Sequence, residues 1–373
     1  MNIKMLAALA ALPMIALATP AQAQKAGDKI ANSYICVFKA NAVSRGNAQA
    51  EANRSVQAAG GQLKHVYSVA IKGFAANMSA QGAENAKNNN PNIDYCEQDQ
   101  VVMAGPVRAD APPSGGGSVQ PAQETPWGIA RVNGGGTGTF GTAWIIDTGI
   151  DVTHPDLNVD TARSRSFLSR DTSPVDQNGH GTHVAGTVAA KANTIGVIGV
   201  APGAAVVAVR VLDRRGSGTN SGVIAGVDYV AQNGRAGDVA NMSLGGGVST
   251  ALDTAVVNAA AGGVKFALAA GNESDNANNH SPARANGPNV YTVSSFAIGD
   301  KWSSFSNFGN PPIDYAEPGS SIKSTWLNGG YNTISGTSMA TPHLAGILLA
   351  GAAGNGGVVS GDPSAPADTI GVR

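Results

Sequence analysis

Short apolar runs alternate with longer amphipathic segments over the C-terminal two thirds of the chain. The predicted strands are Ala143–Ile146, Val206–Val211, Val239–Met242, Lys265–Ala269 and Val290–Val293, and the predicted helices are His180–Lys191, Ser221–Asn233 and Thr250–Ala261. Short buried strands that alternate with helices are typical of an α/β fold, in which a mostly parallel sheet carries helices on both faces.

A different pattern precedes this region. Strand-like and helix-like segments follow one another in the order β-α-β-β-α-β, which is typical of a small ferredoxin-like α+β domain. The predicted strands are residues 33–40, 65–71, 74–78 and 93–102, and the predicted helices are residues 44–59 and 80–88. The first and last strands are neighbours in that topology, and they carry both cysteines of the chain, Cys36 and Cys96. A disulfide and a pair of buried thiols both fit this placement.

The first 23 residues have the pattern of a secretory signal peptide. Lys4 supplies the positive charge, residues 5–18 form the apolar stretch, and Ala21-Gln22-Ala23 matches a cleavage site. The apolar stretch is shorter than the ~20 residues that span a membrane. We therefore expect a secreted protein, extracellular or periplasmic, with no membrane-spanning segment.

The composition of two other segments suggests irregular structure. Residues 105–125 are rich in Pro and Gly and predict an exposed linker between a domain at 24–104 and a second domain at 126–373. The tail from Gly351 to Arg373 is rich in Gly, Pro and Asp. It predicts loops, unless part of the domain is missing.

Overall composition sets two limits. Apolar residues make up 42% of the 373 residues, which is enough for a sizeable core, whereas charged residues make up 13%. The formal net charge is −1, so no basic surface for nucleic acid is predicted.

Three polar residues stand where α/β folds place reactive groups. Asp147 ends a predicted strand, at the sheet edge where such sites form. His180 lies between two glycines, and an ordinary histidine pKa of about 6.5 suits a general base. Ser338 lies at a predicted helix start, because Pro342 is tolerated only there, and free N–H groups at a helix start favour negative charge. Taken singly, each of these residues would also fit an ordinary structural role, such as ending a strand in a turn or capping a helix.

Two further residues complete the candidate set. His183 follows His180 by one helical turn, which raises the alternative of a metal pair, but the His-Glu-x-x-His pattern is absent and we favour a structural role. Asn272 follows a predicted strand in a Gly-Asn turn. Beside a nucleophilic serine, its amide becomes a candidate hydrogen-bond donor to an oxyanion.

Together these residues lie in motifs that resemble those of subtilisin-like serine proteases, above all the proteinase K branch. The motifs are Trp-Gly-Ile-Ala-Arg (127–131), Asp-Thr-Gly-Ile-Asp (147–151), Asn-Gly-His-Gly-Thr-His-Val-Ala-Gly (178–186), Gly-Val-Ala-Pro (199–202), Ala-Ala-Gly-Asn (269–272), Ser-Ser-Phe-Ser-Asn-Phe-Gly (303–309) and Ser-Gly-Thr-Ser-Met-Ala-Thr-Pro-His (335–343). The resemblance covers about residues 127–350. It implies that Asp147, His180 and Ser338 form a catalytic triad and that Asn272 binds the oxyanion.

The resemblance also implies a pro-domain, a substrate groove and a metal site. Residues 33–103 are similar to the inhibitory pro-domain of such proteases, which implies self-cleavage between about Met103 and Gln120. An extended substrate would add as a strand to two segments. These are Gly216, Ser217 and Gly218, and Ser243, Leu244 and Gly245. The mostly small residues at 244–247 and 269–271 would form the walls of a pocket, which is therefore predicted to be roomy and apolar. The family's calcium ligands are matched by Pro288, Val290 and Asp314, and oxygen ligands suit Ca²⁺.

The sequence therefore predicts a secreted, monomeric serine endopeptidase that hydrolyses proteins or peptides. Its precursor would process itself, and its own pro-domain would be an intramolecular inhibitor. One alternative is an acyl-transfer enzyme such as a peptide ligase, because hydrolysis and aminolysis share an acyl-enzyme. The other is a non-catalytic peptide-binding relative, which the presence of the whole triad disfavours.

Overall fold

The structure is a computed structural model, and it describes residues 24–105, 108–109 and 120–373. The predicted signal peptide and most of the predicted linker, with its cleavage site, lie outside the described residues. The N-terminal part contains β1 (Lys29–Phe38), α1 (Ala48–Ala58), β2 (Gln62–Tyr67), β3 (Gly73–Asn77), α2 (Ala80–Asn89), β4 (Ile93–Ala104) and the short β5 (Arg108–Ala109).

The N-terminal part is an antiparallel sheet with strand order β4-β1-β3-β2. Helices α1 and α2 contribute Ala52, Val56 and Ala83 to a buried cluster with Phe38 and Phe74 of the sheet. This is the β-α-β-β-α-β arrangement that the sequence pattern predicts. Cys36 and Cys96 are direct partners across β1 and β4, and a disulfide joins them. The disulfide alternative is thus confirmed.

The larger part of the chain forms a second unit around a longer sheet. Its elements are α3 (Trp127–Arg131), β6 (Ala143–Asp147), β7 (Arg165–Ser166), α4 (His180–Ala189), β8 (Val206–Arg210), β9 (Ser217–Thr219), α5 (Asn220–Asn233), β10 (Val239–Met242), β11 (Leu244–Gly246), α6 (Thr250–Ala261), β12 (Lys265–Ala269), β13 (Val290–Ala297), β14 (Lys301–Trp302), β15 (Ile313–Pro318), β16 (Ile322–Trp326), β17 (Gly330–Ser335), α7 (Thr337–Ala350), β18 (Gly354–Val358) and β19 (Thr369–Val372).

The main sheet runs in the order β18-β19-β15-β13-β12-β10-β6-β8-β7, with parallel pairing from β19 through β7. Successive residues of β6 face opposite sides. Trp144 and Ile146 join the cluster with α5 and α6, whereas Ala143 and Ile145 join the cluster with α4 and α7. The predicted α/β fold, a mostly parallel sheet with helices on both faces, is confirmed.

The C-terminal tail does not consist of loops alone, so that expectation was wrong. Thr369–Val372 forms β19, which pairs in parallel with β15 and antiparallel with β18. Ile370 is fully buried with Phe296 and Ala316, which gives the tail an apolar anchor that its Gly-rich composition hides. Among the described residues, no helix combines the length and apolar character needed to cross a membrane.

Candidate active site

Asp147 lies at the carboxyl end of β6, fully buried. Its Oδ1 accepts hydrogen bonds from the Thr148 N–H at 2.7 Å and from Nδ1 of His180 at 2.8 Å. These two donors fix the carboxylate with one oxygen directed at the imidazole. Because the carboxylate oxygen accepts a hydrogen bond from Nδ1, the neutral imidazole carries its proton on Nδ1 and leaves Nε2 as the basic nitrogen.

His180 is the first residue of α4, and glycine on each side lets it reach this position. Gly179 has φ +106°, and a Cβ there would lie 2.4 Å from the Trp326 ring. A Cβ on Gly181 would lie 2.2 Å from the carbonyl oxygen of Gly149. The glycines therefore allow the close approach of α4 to neighbouring loops.

The pKa of His180 reflects opposing effects. Burial acts to lower it, whereas the charge and hydrogen bond of Asp147, with the charge of Asp176, raise it, and the pKa lies above the ordinary 6.5. Nε2 of His180 is buried and has no hydrogen-bond partner among the described residues. A buried nitrogen without a partner is costly unless something else uses it. The imidazole is therefore poised to accept a proton.

Asp176 is a buried carboxylate that the sequence argument overlooked. Its Oδ1 accepts from the Thr148 hydroxyl and its Oδ2 from the Thr182 hydroxyl and N–H. It thereby ties the loop after β6 to the first turn of α4. In the sequence, its position just before Asn178-Gly179 of the histidine motif could have indicated that it lies at the site.

Ser338 is the second residue of α7 and is buried. Pro342, one turn later, has no N–H for the Ser338 carbonyl, which would be its usual partner in a helix. The Ser243 hydroxyl donates to that carbonyl at 2.8 Å instead, and Nδ2 of Asn241 donates to the Ser243 hydroxyl. Oγ of Ser338 donates to the Ser243 carbonyl at 3.2 Å. Ser243 therefore contacts the nucleophile candidate through both its side chain and its backbone.

Asn272 follows β12 and faces the start of α7. Its Oδ1 accepts from the Thr337 N–H at 2.8 Å and from the Thr337 hydroxyl at 3.0 Å. With the oxygen held, Nδ2 faces the cleft, where a Cβ built on Gly105 would lie 2.3 Å from it and 3.5 Å from Oγ of Ser338. The Asn272 amide and the Ser338 N–H, which lies in the first turn of α7, are the two candidate donors beside Oγ.

Residues 102–104 at the end of β4 lie between the two predicted substrate segments. Val102 and Met103 pair antiparallel with Gly218 and Ser217 on one side and with Gly246 and Gly245 on the other. Ala104 is the partner of Leu244, and its N–H donates to the Gly216 carbonyl at 2.8 Å. An extended segment of the chain thus lies as a third strand between the two predicted substrate segments, and Gly105 follows it beside Ser338.

A pocket of ≈ 480 Å³ opens beside this strand. Leu244–Gly247 and Ala269–Gly271 form two of its walls, as the sequence suggested. Glu273 and His280 also line it, so the prediction of an apolar pocket was incomplete. Both lie in the loop after Asn272, where sequence spacing alone does not show which side chains turn back toward the serine.

Three acidic residues anchor the N-terminal unit to two helices of the larger unit. Asp99 is fully buried and accepts from the Ser221 N–H and hydroxyl at the start of α5. Glu97 accepts from the Ser249 hydroxyl and the Ala251 N–H at the start of α6. Asp228 of α5 accepts from three successive N–H groups, those of residues 68–70. Carboxylates at helix starts are favourable because they satisfy free N–H groups and oppose the helix dipole.

The three residues matched to calcium ligands are near one another in the fold. Val290 begins β13, Pro288 precedes it, and Asp314 lies on the adjacent β15. Oδ2 of Asp314 accepts from the Thr292 N–H at 2.8 Å. Partial burial raises the pKa of Asp314 to about 6, and that hydrogen bond only partly opposes the rise.

His183 has a structural role, because its Nε2 makes a hydrogen bond of 2.9 Å with the Ile322 carbonyl. Burial lowers the pKa of His183 to about 3.

The fold and the site define a serine endopeptidase. A family model described as the subtilase family matches residues 144–356, and the chain belongs to that family. Alkaline serine exoprotease A of Vibrio alginolyticus is 44% identical over 300 residues, which cover 77% of this chain but 52% of that protein, so the chain spans about half of its length. Proteinase R of Parengyodontium album is 36% identical over 337 residues, covering 86% of this chain and 79% of that protein. The crystal structure of a cold adapted subtilisin-like serine proteinase superimposes with a TM-score of 0.52 at 49% identity, covering 59% of this chain and 82% of that one.

Proposed function

We propose that this chain is the precursor of a secreted serine endopeptidase that hydrolyses proteins through Asp147, His180 and Ser338. The observation that carries the proposal is the buried Asp147–His180 hydrogen bond of 2.8 Å, in a fold that also buries a serine at a helix start. Curated relatives include an extracellular serine proteinase of Thermus, 37% identical over 352 residues, which supports the secreted location. No feature of the site favours the ligase or the non-catalytic alternative.

The mechanism follows from the chemistry of these groups. Oγ of Ser338 leaves the Ser243 carbonyl, gives its proton to Nε2 of His180, and attacks the scissile carbonyl carbon. Asp147 keeps the imidazole in the tautomer that accepts at Nε2 and stabilises the imidazolium. The Asn272 amide and the Ser338 N–H donate to the oxyanion. His180 then protonates the leaving amine, and water, activated by the same histidine, releases the acyl group.

The N-terminal unit is proposed to be an intramolecular inhibitor. Strand β4 fills the groove with residues 102–104, so no substrate can add there while it stays. The acidic caps at α5 and α6 hold the rest of the unit in place. Release would follow self-cleavage in the linker, whose Pro- and Gly-rich composition suits a protease-accessible segment.

We further propose that Pro288, Val290 and Asp314 hold a structural Ca²⁺. The donor set is all oxygen, two backbone carbonyls and one carboxylate, which is the chemistry that Ca²⁺ prefers. Burial raises the pKa of Asp314 to about 6, so its charged form costs free energy in this surrounding. A bound Ca²⁺ would supply a compensating positive charge and join the loop before β13 to β15.

The direct test of the function is Ser338→Ala. We expect an intact precursor with no hydrolysis of casein or of a chromogenic peptide, because the nucleophile is gone. Ser335→Ala, in the same motif, is the matched control and is expected to keep measurable activity. A Ser338→Ala protein that still hydrolyses casein would refute the assignment.

A further inference from the structure

Both cysteines of the chain lie in the N-terminal unit, where they form one disulfide. Cys36 of β1 and Cys96 of β4 are direct partners, and the bond joins residues 60 apart in sequence. The sequence contains two cysteines in all, so the unit that carries Asp147, His180 and Ser338 has neither a thiol nor a disulfide. A thiol reagent therefore has its only disulfide target in the proposed inhibitor.

The disulfide lies on the strand that enters the groove. In the order of strands, β4 stands between β1 and β11. It pairs with β1 before residue 101, whereas residues 102–104 at its end pair with β9 and β11. The bond between Cys36 and Cys96 thus fastens the strand that fills the groove to the rest of its own unit.

The N-terminal unit has a small apolar core. In the described part of the chain, the cluster around α1 and α2 contains twelve buried residues, and five of them are alanine. Other contacts of the unit are made with the catalytic unit, through Glu97, Asp99 and Asp228. A unit of this size with so small a core is marginally stable once those contacts are lost. A disulfide that closes a long loop stabilises such a unit mainly by restricting the unfolded chain.

The two cysteines differ in access. Cys36 is fully buried, whereas Cys96 is partly buried at the edge of the same cluster. Thiol–disulfide exchange requires a thiolate to reach one sulfur of the bond, so Sγ of Cys96 is the accessible target. One thiolate of a dithiol attacks Sγ of Cys96 and releases Cys36 as a thiolate. The second thiolate of the reagent then displaces Cys96 and closes the reagent's own disulfide.

The exchange is balanced in electrons and protons. The dithiol loses two electrons and becomes a disulfide, and the bond between Cys36 and Cys96 gains them. The two protons of the dithiol end on the two cysteine thiols. No group of the catalytic unit takes part.

We propose that the Cys36–Cys96 disulfide is a site of thiol–disulfide exchange through which a dithiol weakens the N-terminal unit as an inhibitor. The inference rests on the proposed inhibitory role of that unit. Only the folded unit presents residues 102–104 to the groove, so its apparent dissociation constant rises as its folded fraction falls. The effect belongs to the state after the linker is cut, because the intact linker keeps the unit beside the groove at high effective concentration.

The same bond also protects the unit against a second cut. Residues 39–47, between β1 and α1, are exposed apart from Val43. Exposed loops are the preferred sites of proteolytic nicking. A cut in this loop leaves β1 joined to β4 through the disulfide, and reduction removes that link. A nicked unit therefore loses β1 only when it is reduced.

The test uses the wild-type precursor after its linker has been cut. Initial rates of hydrolysis of a chromogenic peptide are measured over a dilution series, with and without excess dithiothreitol. We expect the concentration of complex at which half of the enzyme is inhibited to rise roughly tenfold or more in the reagent. Alkylation followed by mass spectrometry reports whether Cys36 and Cys96 are free.

Two controls isolate the disulfide. The matured enzyme without its N-terminal unit should have the same activity with and without dithiothreitol, because it contains no cysteine. The double variant Cys36→Ser, Cys96→Ser should behave like the reduced wild type, and the reagent should not change it further. Reduction of folded wild-type protein provides the result even where this variant fails to fold.

Each other outcome rejects a defined part of the account. Unchanged inhibition in a complex whose two thiols are free overturns the proposal, and so does a disulfide that resists reduction in the folded complex. Loss of activity of the matured enzyme in dithiothreitol overturns the claim that the reagent acts on the inhibitor alone. A precursor that is fully active before any cut overturns the proposed inhibitor and this inference with it. A protein that never hydrolyses the peptide overturns the proposed peptidase function itself.

Discussion

The Asp147 carboxylate and the His180 imidazole are joined by a 2.8 Å hydrogen bond between Oδ1 and Nδ1, and both groups are almost completely buried. Asp147 ends a central parallel strand and His180 starts the helix packed on it. The fold thus brings together residues 33 apart in sequence and removes water from between them. Inside a low-dielectric site, the pair holds one tautomer and favours positive charge on the imidazole.

Asp147→Asn should lower kcat by about 10⁴-fold with little change in KM, because the wrong tautomer would leave Nε2 protonated. In the wild-type enzyme, activity should fall as the pH drops through the pKa of His180, which lies above 6.5, since protonation removes the base. The pH dependence of kcat/KM measures both effects. Residual activity of Asp147→Asn with an acid limb at the wild-type pH would contradict this account.

Asn272→Ala should lower kcat by roughly 10²–10³-fold, the loss that removal of one oxyanion donor causes in a subtilisin. KM should change little, because the amide acts on the charge that develops in the transition state. Steady-state kinetics on a short peptide provide the measurement. Asn278→Ala is the control from the same loop, and an equal loss in that variant would point to loop damage instead.

The contact between Ser243 and Ser338 predicts a compensating pair of substitutions. Ser243→Ala should destabilise the protein by about 1–3 kcal/mol, because the buried Ser338 carbonyl loses its donor. Adding Pro342→Ala restores a backbone N–H at residue 342, which can donate to the Ser338 carbonyl as in an ordinary helix. The double variant should therefore regain much of the lost stability. Denaturant unfolding of inactive Ser338→Ala backgrounds measures both. Additive losses in the double variant would show that the hydroxyl does not substitute for the helical N–H.

Two carboxylates at the start of α6 predict pH-dependent release of the N-terminal unit. Burial raises the pKa of Glu97. Burial also raises the pKa of Asp253 to about 6; the negative charge of Glu97 adds to this rise, and the positive charge of Arg284 opposes it. A carboxyl group whose pKa is raised in the joined state favours that state when protonated. The contact should therefore weaken as pH rises from about 4 through 6.

We thus expect a pre-cleaved precursor to gain activity faster at pH 7 than at pH 5, after correction for the activity of free enzyme at each pH. Glu97→Gln should flatten this dependence, because the repulsion of Asp253 disappears while the Ser249 contact can persist. Asp94→Asn, an exposed acid on the same strand, should not alter it. Faster release at pH 5 than at pH 7 would reverse the sign and reject the proposal.

The sequence by itself determined the fold class, the reactive residue types and their order along the chain. Strand and helix periodicities are local, so α4 and the five central strands β6, β8, β10, β12 and β13 were predictable within a few residues, whereas β7, β15, β18 and β19 of the same sheet were not predicted. Glycines beside His180 permit backbone conformations and close approaches that other residues do not, and a proline after Ser338 is compatible only with a helix start, so both also marked the site.

The tertiary structure alone decided how distant side chains meet. Ser243 substitutes for a donor that Pro342 removes, across 95 residues of sequence, and no periodicity encodes such a contact. Glu273 and His280 line the pocket only because their loop turns back toward the serine. The tail becomes a sheet edge because β15 offers unpaired backbone groups to which Thr369–Val372 can bind. Local patterns fix which elements form, whereas packing fixes which of their atoms share a site.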